Sequence, residues 1–442
     1  MKKSIYNIVL DTNKRDMYLM FNTLNNSTIV IDKEVLDLME CPNSLRNKNS
    51  KIFENLVRLG FLVNDHVNEK KIFQFKYYQQ RFASQKSEIM ISTTYACNLA
   101  CPYCFEGKHK KSEYLKEPLL FNIISFIKKI SKLNNSKKLE IHLFGGEPLL
   151  NRYATFKILN LIKKWTDTQN IDFKFILYTN GTLASKNIVD KIKIYKNNIK
   201  YIQITLDGPK EIHDNQRYYK SKKGSYDKII ETLKIFKKEK IWSVLRINID
   251  KNNYLKIPEL LDDLKSKEVG DIPIGFGFIR EMTSSCGKIP HQIVNPNKVL
   301  IKLWEISLKK GFNISVKPKT GLNYCGAFKN SSFVIDVKGY VYKCAGLQGI
   351  KEHAIGKIDD SGNIPALGYR YYDFLSRDPL SMKKCKDCVN LPICGGGCAS
   401  FSFTNFGTYH HANCFNKSLK LTKEGLKLYF KYKGPKKFRD LF

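Results

Sequence analysis

"ISTTYACNLACPYCFEG", residues 91–107, decides how the rest of this chain is interpreted. Its apolar start is typical of a buried strand. Three cysteines follow with the spacing Cys-x-x-x-Cys-x-x-Cys: Cys97, Cys101 and Cys104. Zinc fingers usually supply four ligands, whereas a cubane iron–sulfur cluster binds one thiolate on each iron. Three thiols therefore predict a cluster that leaves one iron open. The alternative is a zinc knuckle that a remote ligand such as His109 completes.

The composition is that of a globular chain with clustered cysteines. Its 442 residues suffice for two or three domains, and no apolar run is long enough to span a bilayer. The start lacks the pattern of a signal peptide, so we expect a cytoplasmic protein with no membrane partner. Of the twelve cysteines, three lie at 97–104 and seven at 325–414. Because the cytosol keeps thiols reduced, such clusters indicate metal sites.

The formal net charge of +34 favours acidic partners. Nucleic-acid-binding proteins also carry such a charge. Here, however, the lysines are scattered along the whole chain, with no arginine-rich stripe and no aromatic–basic motif. We therefore do not expect a nucleic acid partner. A basic zinc protein that binds RNA remains the alternative from a different functional class.

Residues 1–80 have the pattern of a small α+β domain. Residues 18–32 predict two strands joined at Asn25-Asn26. Two helices and a further strand are expected in "KEVLDLM" (33–39), "KIFENLVRLG" (51–60) and "FLVND" (61–65). The polar stretch 64–72 and the Gln- and Tyr-rich residues after it are typical of a linker.

From residue 88 to about 300, predicted strands alternate with helices such as 119–130 and 225–237. This order predicts an α/β fold with a parallel sheet, curved into a partial (β/α)6 barrel whose active site lies at the carboxyl ends of the strands. The six strand candidates are "EIMISTTY" (88–95), "LEIHLF" (139–144), "FKFILY" (173–178), "KYIQITL" (200–206), "SVLRINI" (243–249) and "PIGFGFI" (273–279).

With the three-cysteine loop after the first strand, the chain resembles the radical S-adenosylmethionine (SAM) superfamily. Three more segments carry the resemblance: "GGEP" (145–148), "LYTNGTL" (177–183) and "ITLDGPKEIHDNQR" (204–217). The resemblance implies that Cys97, Cys101 and Cys104 hold a 4Fe–4S cluster whose open iron binds SAM. It also implies that SAM is contacted by Tyr103, Gly145, Gly146, Glu147, Asn180, Thr205 and Arg217. Glu147 is an anionic acceptor suited to an ammonium group.

The segment 320–420 is rich in glycine and contains seven cysteines: Cys325, Cys344, Cys385, Cys388, Cys394, Cys398 and Cys414. Their order and gaps resemble the SPASM extension of radical SAM enzymes, which holds two auxiliary 4Fe–4S clusters. The alternative is a zinc ribbon over 385–398. The resemblance implies one cluster on Cys385, Cys388, Cys394 and Cys414, and another on Cys325, Cys344 and Cys398.

The second of these sets has only three cysteines. Cys286 is a candidate for its fourth ligand, and otherwise one iron stays open. Cys286 and Cys41 each have a simpler explanation as small apolar residues, and for Cys41 this explanation is favoured. The stretch "NKSLKLTKEGLKLYFKYK" (416–433) has a helical pattern, and the tail from 421 to 442 is predicted to be a surface helix.

The resemblance implies an enzyme that uses a 5′-deoxyadenosyl radical on a ribosomally made precursor peptide, to form a thioether or carbon–carbon bond. Residues 1–80 resemble the winged-helix-like element by which peptide maturases bind a leader peptide. An anaerobic sulfatase maturase, which forms formylglycine, is the second candidate. Those enzymes carry an Asp directly after the cysteine equivalent to Cys344, where this chain has Ala345. A low-potential electron donor of the flavodoxin or ferredoxin type is the other expected partner.

Overall fold

A small antiparallel sheet with short helices forms the start of the chain. The structure is a computed structural model that describes residues 1–83, 85–104, 106, 112–279, 293, 295–318, 324–414, 418–435 and 439. The first strands are β1 (Lys2–Lys3), β2 (Asn7–Asp11), β3 (Met17–Asn22), β4 (Thr28–Asp32) and β5 (Leu62–Val63). Strands β2, β3 and β4 form the sheet, and β1 pairs with β5. The turn between β3 and β4 places Asn26 at a φ of 61°, a conformation that Asn tolerates.

Four helices complete this unit: α1 (Lys33–Leu38), α2 (Pro42–Lys48), α3 (Ser50–Arg58) and α4 (Glu69–Phe82). The expectation of a linker after residue 64 is wrong, because α4 occupies that stretch. Phe73, Tyr77 and Arg81 recur every four residues and are all buried, while glutamines and lysines cover the outer face. The high polar content of this face hides the helical period.

Helix α4 connects the N-terminal unit to the cysteine-rich segment. The ring of Phe73 lies 6.4 Å from that of Tyr6 and 5.6 Å from that of Tyr77. Tyr77 in turn lies 5.3 Å from Tyr324, which directly precedes Cys325. One aromatic cluster therefore joins residues that are about 300 positions apart.

The predicted parallel sheet is confirmed. Its six parallel strands are β6 (Lys86–Thr94), β7 (Lys138–Gly145), β8 (Asp172–Thr179), β9 (Ile199–Thr205), β10 (Ser243–Ile249) and β11 (Ile274–Phe278). Each coincides with a predicted strand within a few residues. The described sheet has nine strands in the order β11-β10-β9-β8-β7-β6, followed by three strands from the cysteine-rich segment.

Helices with one apolar face cover this sheet, as their periodicity predicts. In the helix expected at 119–130, Leu120, Ile123, Ile124 and Ile127 are buried against the strands. The helices of this region are α5 (Glu117–Leu133), α6 (Arg152–Gln169), α7 (Lys186–Lys193), α8 (Lys210–Gln216), α9 (Tyr226–Lys238), α10 (Ile257–Ser266) and α11 (Pro296–Lys309).

The cysteine-rich segment adds its strands to the same sheet. These are β12 (Ser332–Ile335), β13 (Tyr340–Tyr342) and β14 (Gly356–Lys357). Strand β12 pairs in parallel with β6, the strand that leads into Cys97, and β13 and β14 follow in antiparallel order. The remaining helices are α12 (Tyr369–Leu375), α13 (Leu391–Cys394), α14 (Ala399–Phe406) and α15 (Leu419–Lys433).

The expectation that the C-terminal helix lies on the surface is wrong. In α15, Leu426 and Phe430 are buried in a cluster with Ile8 and Leu10 of the N-terminal sheet. The helix also packs on α11. Its many lysines lie between the buried positions and make the sequence read as an exposed helix. Within the described chain, no helix is long and apolar enough to cross a membrane.

We predict that Phe73→Ala lowers the free energy of unfolding by about 3–5 kcal/mol, because it leaves a cavity in the cluster around α4. Phe75 lies on the same helix but is 68% exposed, so Phe75→Ala should change this free energy by less than about 0.5 kcal/mol. Urea unfolding of the anaerobically purified variants measures both values. Equal effects of the two substitutions would contradict the packing described for α4.

Candidate active site

The carboxyl ends of β6 to β11 surround a cavity of about 360 Å³. Because parallel strands end at the same edge of a sheet, the loops that follow them meet there. Nine of the ten residues predicted for this site line the cavity, and Glu147 does not. The nine are Cys97, Cys101, Tyr103, Cys104, Gly145, Gly146, Asn180, Thr205 and Arg217.

Several cavity residues lie outside the predicted set. A signal for some of them is present in the sequence, since β9 carries Gln203 two residues before Thr205, and β10 carries Arg246 two residues before Asn248. Alternate residues of a strand share one face, so polar side chains at these positions of apolar strands indicate an inner polar surface. The additional lining residues are Glu106, Phe144, Tyr178, Thr179, Gln203, Arg246, Asn248, Phe278 and Ile279.

Gly145 and Gly146 allow the end of β7 to contact the backbone of the cysteine loop. Gly146 N donates to Thr94 O and Glu147 N donates to Ala96 O, both at 2.9 Å. A Cβ atom on Gly146 would lie 2.4 Å from Ala96 O, and one on Gly145 would lie 2.1 Å from Thr94 O. Both positions therefore require glycine for the loop to keep this place.

Glu147 is fully buried beneath this contact, and the protein itself satisfies its carboxylate. Oε1 accepts hydrogen bonds from Leu149 N at 3.0 Å and from the Thr179 hydroxyl at 2.8 Å, and Oε2 accepts from Asn180 N at 2.7 Å. Burial raises the pKa of Glu147, and these donors oppose the rise. The side chain thus ties the ends of β7 and β8 together.

A buried network connects the last cysteine of the loop to the strands opposite. The Tyr103 hydroxyl, next to Cys104, donates to the carboxylate of Asp207 and accepts from Arg217 Nη1 at 2.7 Å. Asp207 Oδ1 also accepts from Asn248 N at 2.9 Å. Burial raises the pKa of Tyr103, so the phenol stays neutral and donates. Arg217 Nε has no hydrogen-bond partner among the described residues, which leaves one donor of this cation for a ligand.

Asn180 lies against the cysteine loop. Its Nδ2 donates to Asn98 Oδ1 at 2.8 Å and lies 3.8 Å from Cys97 Sγ, and its Oδ1 accepts from the Thr182 hydroxyl at 2.7 Å. Asn180 therefore has a defined orientation beside the first cysteine.

The seven cysteines of the C-terminal segment lie in two groups. Burial, with the nearby thiols of Cys398 and Cys325, raises the pKa of Cys344 to about 12. Burial likewise raises the pKa of Cys385 to about 12, and here the thiols that contribute are those of Cys394, Cys414 and Cys388. These two neighbourhoods have the same members as the two ligand sets that the sequence resemblance implies. A cavity of about 130 Å³ adjoins Cys325, Cys344, Cys394 and Cys398.

The turn between Cys394 and Cys398 consists of three glycines, all with φ between 60° and 81°. A Cβ atom on Gly397 would lie 1.6 Å from Asn413 O, so this backbone contact requires glycine. It brings Cys398 next to the chain that leads to Cys414.

Three other predicted residues have different outcomes. His109 and Cys286 lie outside the described residues. Cys41, at the start of α2, is exposed and does not pack in the core. Within the described chain, no group of three or more His, Cys, Asp or Glu side chains is close enough to hold a single metal ion. Thiols that each bind a different iron of a cluster need not converge on one point.

The sequence of residues 91–264, from β6 to α10, matches the model of the radical SAM superfamily. This chain contains a radical SAM domain. The resemblance that the three-cysteine loop carries is thus confirmed for residues 91–264.

Two named relatives of this chain differ in activity. A cysteine-type anaerobic sulfatase-maturating enzyme of Clostridium novyi is 27% identical over 347 residues, which are 73% of this chain and 90% of the relative. The radical SAM cyclopropyl synthase TigE of Paramaledivibacter caminithermalis is 23% identical over 438 residues, which are 88% of each chain.

Solved structures give the same fold. The anSMEcpe structure with bound AdoMet and the Kp18Cys peptide has a TM-score of 0.61 and 20% identity, and it covers 80% of this chain and 98% of its own. Streptococcus suis SuiB bound to the precursor peptide SuiA has a TM-score of 0.57 and 16% identity. That match covers 95% of this chain and all of SuiB.

A radical SAM domain implies a 4Fe–4S cluster and SAM, and the residues of the cavity fit both. Three thiols line it, and its volume lies within the range of small-molecule sites. Arg217 Nε is an unpartnered donor, which suits the carboxylate of an amino acid.

We predict that Glu147→Gln destabilises the protein by roughly 1–3 kcal/mol even without SAM, because an amide NH₂ would have to face a hydrogen-bond donor. Glu117→Gln is the control, since Glu117 is exposed and accepts a bond from Tyr153. Urea unfolding without and with SAM measures the effect. A loss of stability that appears only with SAM would mean that the Glu147 carboxylate acts on the ligand alone.

Proposed function

We propose that this radical SAM enzyme is a peptide maturase, which cross-links or otherwise modifies a ribosomally made precursor peptide through a thioether or carbon–carbon bond. The observation that carries this proposal is the share of this chain that each solved structure covers. The match to SuiB extends over 95% of this chain, against 80% for anSMEcpe. The packing of residues 1–82 onto the cysteine-rich segment supports a working role for the N-terminal unit.

The second candidate is an anaerobic sulfatase maturase. The 27% identity to the Clostridium novyi enzyme favours it. Against it stands Ala345, which follows Cys344 where the resemblance to sulfatase maturases calls for an Asp. Without that carboxylate the chain lacks the expected general base at this position.

In the proposed site, Cys97, Cys101 and Cys104 hold the cluster that binds SAM. When bound, this pair supplies a 5′-deoxyadenosyl radical able to abstract a hydrogen atom from carbon. The backbone of Gly145 and Gly146 would bind the methionine part of SAM, and the buried Glu147 holds this backbone in place. The β-strand walls exclude water from the reacting atoms.

Four polar or aromatic side chains orient SAM in this proposal. The Arg217 guanidinium, held by Tyr103, directs its free Nε–H to the carboxylate of the cofactor. Asn180 and Thr205 offer hydrogen bonds to the ribose from the ends of β8 and β9. The ring of Tyr103 lines the cavity and would contact SAM.

The auxiliary clusters occupy residues 320–420 in this proposal. One is bound by Cys385, Cys388, Cys394 and Cys414, and the other by Cys325, Cys344 and Cys398. The grouping of these thiols in two neighbourhoods supports the division. Buried thiols with a raised pKa need a metal to hold them as thiolates.

The precursor peptide binds along β4 of the domain at residues 1–80. Strand β4 pairs with β3 on one side, and among the described strands it has no neighbour on the other. A peptide strand added there would gain main-chain hydrogen bonds. The charge of +34 favours an acidic leader, and equally an acidic flavodoxin- or ferredoxin-type electron donor.

Replacing Cys97, Cys101 and Cys104 together by Ala should abolish formation of 5′-deoxyadenosine, because no thiolate remains to hold the SAM-binding cluster. The unsubstituted protein, purified without oxygen, should contain about twelve irons and as many sulfides per chain, four for each cluster. Cys41→Ala is the matched control and should retain full SAM cleavage. One or two zinc ions without sulfide would instead support the RNA-binding alternative.

Mass spectrometry of a co-expressed candidate precursor, encoded beside this gene, distinguishes the two enzyme functions. A peptide maturase that forms a cross-link should remove two hydrogens per link. The loss of hydrogens should disappear in the variant Val30→Pro, because a proline in β4 blocks the addition of a peptide strand. Formylglycine in a sulfatase peptide, with no change in the precursor, would instead establish the second candidate.

A further inference from the structure

Three buried cations lie around the C-terminal cysteines. Arg81, Lys343 and Arg377 are 1%, 3% and 0% exposed. Within the described chain, their hydrogen bonds go to backbone carbonyls and not to Asp or Glu. Carbonyls satisfy the N–H donors but carry no net charge.

Buried cations without anionic partners lower the stability of a protein whose interior holds no cluster. Burying an unpaired charge costs several kcal/mol per ion, even after relaxation of the surroundings. Burial, and with it the like charge of Arg81, lowers the pKa of Lys343 to about 7, so Lys343 stays fully charged at neutral pH only beside an anion. The three cations therefore need an anion nearby.

The groups beside Arg377 and Lys343 that can become anionic are mainly thiols. Burial lowers the pKa of Lys343, and negative charge on Cys325 opposes this. Burial also lowers the pKa of Arg377, and negative charge on Cys385, Cys394 or Cys398, or on the phenol of Tyr77, opposes this. Thiolates are the form in which cysteine binds metal, so the cations and the proposed ligands compensate each other once clusters are present.

Arg377 stands between the two groups of thiols. Its Nη1 donates to Gly395 O at 2.9 Å, its Nη2 donates to Gly396 O at 2.7 Å, and its Nε donates to Tyr409 O at 2.7 Å. It thereby holds the turn that joins Cys394 of one group to Cys398 of the other. Lys343 directly precedes Cys344. Among the thiols of the described chain, Cys325 is the one that raises the pKa of Lys343.

We propose that Arg377 is the shared counter-cation of the two auxiliary clusters, and that Lys343 serves the cluster of Cys325, Cys344 and Cys398 alone. This rests on the auxiliary clusters of the proposed function. A buried cation stabilises the more negative, reduced form of a nearby cluster, and net charge is one of the factors that set cluster potentials. Both residues thus act as positioning and tuning residues for electron acceptance.

The test uses the full chain with Cys97, Cys101 and Cys104 replaced by Ala, so that only auxiliary clusters contribute to the spectra. Reductive titration followed by electron paramagnetic resonance compares Arg377→Gln with Arg377→Lys. The Gln variant should lower the reduction equilibrium constant of both clusters at least tenfold, which is 59 mV for one electron. The Lys variant, which keeps the charge, should shift both by less than threefold.

Arg370→Gln is the matched control from the same segment. Arg370 already pairs with Asp373 at 3.1 Å, so its loss should leave both potentials unchanged. Unaltered potentials in Arg377→Gln, with iron and sulfide retained, would overturn the proposal. So would a shift of the same size in Arg370→Gln.

If Arg377→Gln loses its clusters, Lys343→Gln tests the proposal instead. One cluster should then become at least tenfold harder to reduce while the other keeps its potential, and a shift in neither or in both would overturn the proposal. The parent protein separates this from a failure of the proposed function. Absence of iron and sulfide there would refute the auxiliary clusters themselves.

Discussion

Two backbone hydrogen bonds hold the cysteine loop against the end of the neighbouring strand, and the candidate active site depends on them. They run from Gly146 to Thr94 and from Glu147 to Ala96. Neither bond forms if a side chain separates the two backbone segments. This accounts for the pair of glycines. The buried carboxylate of Glu147 then attaches β8 to the same point. The thiols are thus placed by backbone contacts, so their position follows directly from the register of the sheet.

Buried charge is treated differently in the two parts of the molecule. In the radical SAM domain, Arg217 Nη1 lies 3.8 Å from Asp207 Oδ2 and donates a hydrogen bond to the Tyr103 hydroxyl. The charges of Arg217 and Asp207 therefore balance each other within the protein. Arg377 in the cysteine-rich segment, and Arg81 of α4 that packs against this segment, bond to carbonyls alone within the described chain. The charge of the first arrangement is balanced without a ligand, and the second requires charge from elsewhere. Under the proposed function, this difference separates a site that binds a free cofactor from a segment that folds around auxiliary clusters.

The sequence allowed the sheet of the radical SAM domain to be predicted almost residue by residue, because apolar strands and amphipathic helices alternate in it. The cysteines and the glycine pair were also accessible, since their spacing carries the chemistry. Helix α4 was not, because Phe73 and Tyr77 stand among glutamines and lysines that suggest a solvated linker. The burial of α15 was missed for the same reason. The role of Glu147 depends on donors from β8, 32 and 33 positions away, which no local pattern reveals.

Strand β12 joins the cysteine-rich segment to the sheet at β6, the strand that leads into the three-cysteine loop. The boundary near residue 320 is therefore a boundary in sequence and not in hydrogen bonding. A fragment that stops before β12 would expose four paired positions of β6 as an open sheet edge, and such edges promote aggregation. Chimeras between this enzyme and its relatives should accordingly be joined after β14, or should exchange β6 and β12 together. Evolution of new substrate ranges in this architecture faces the same restriction.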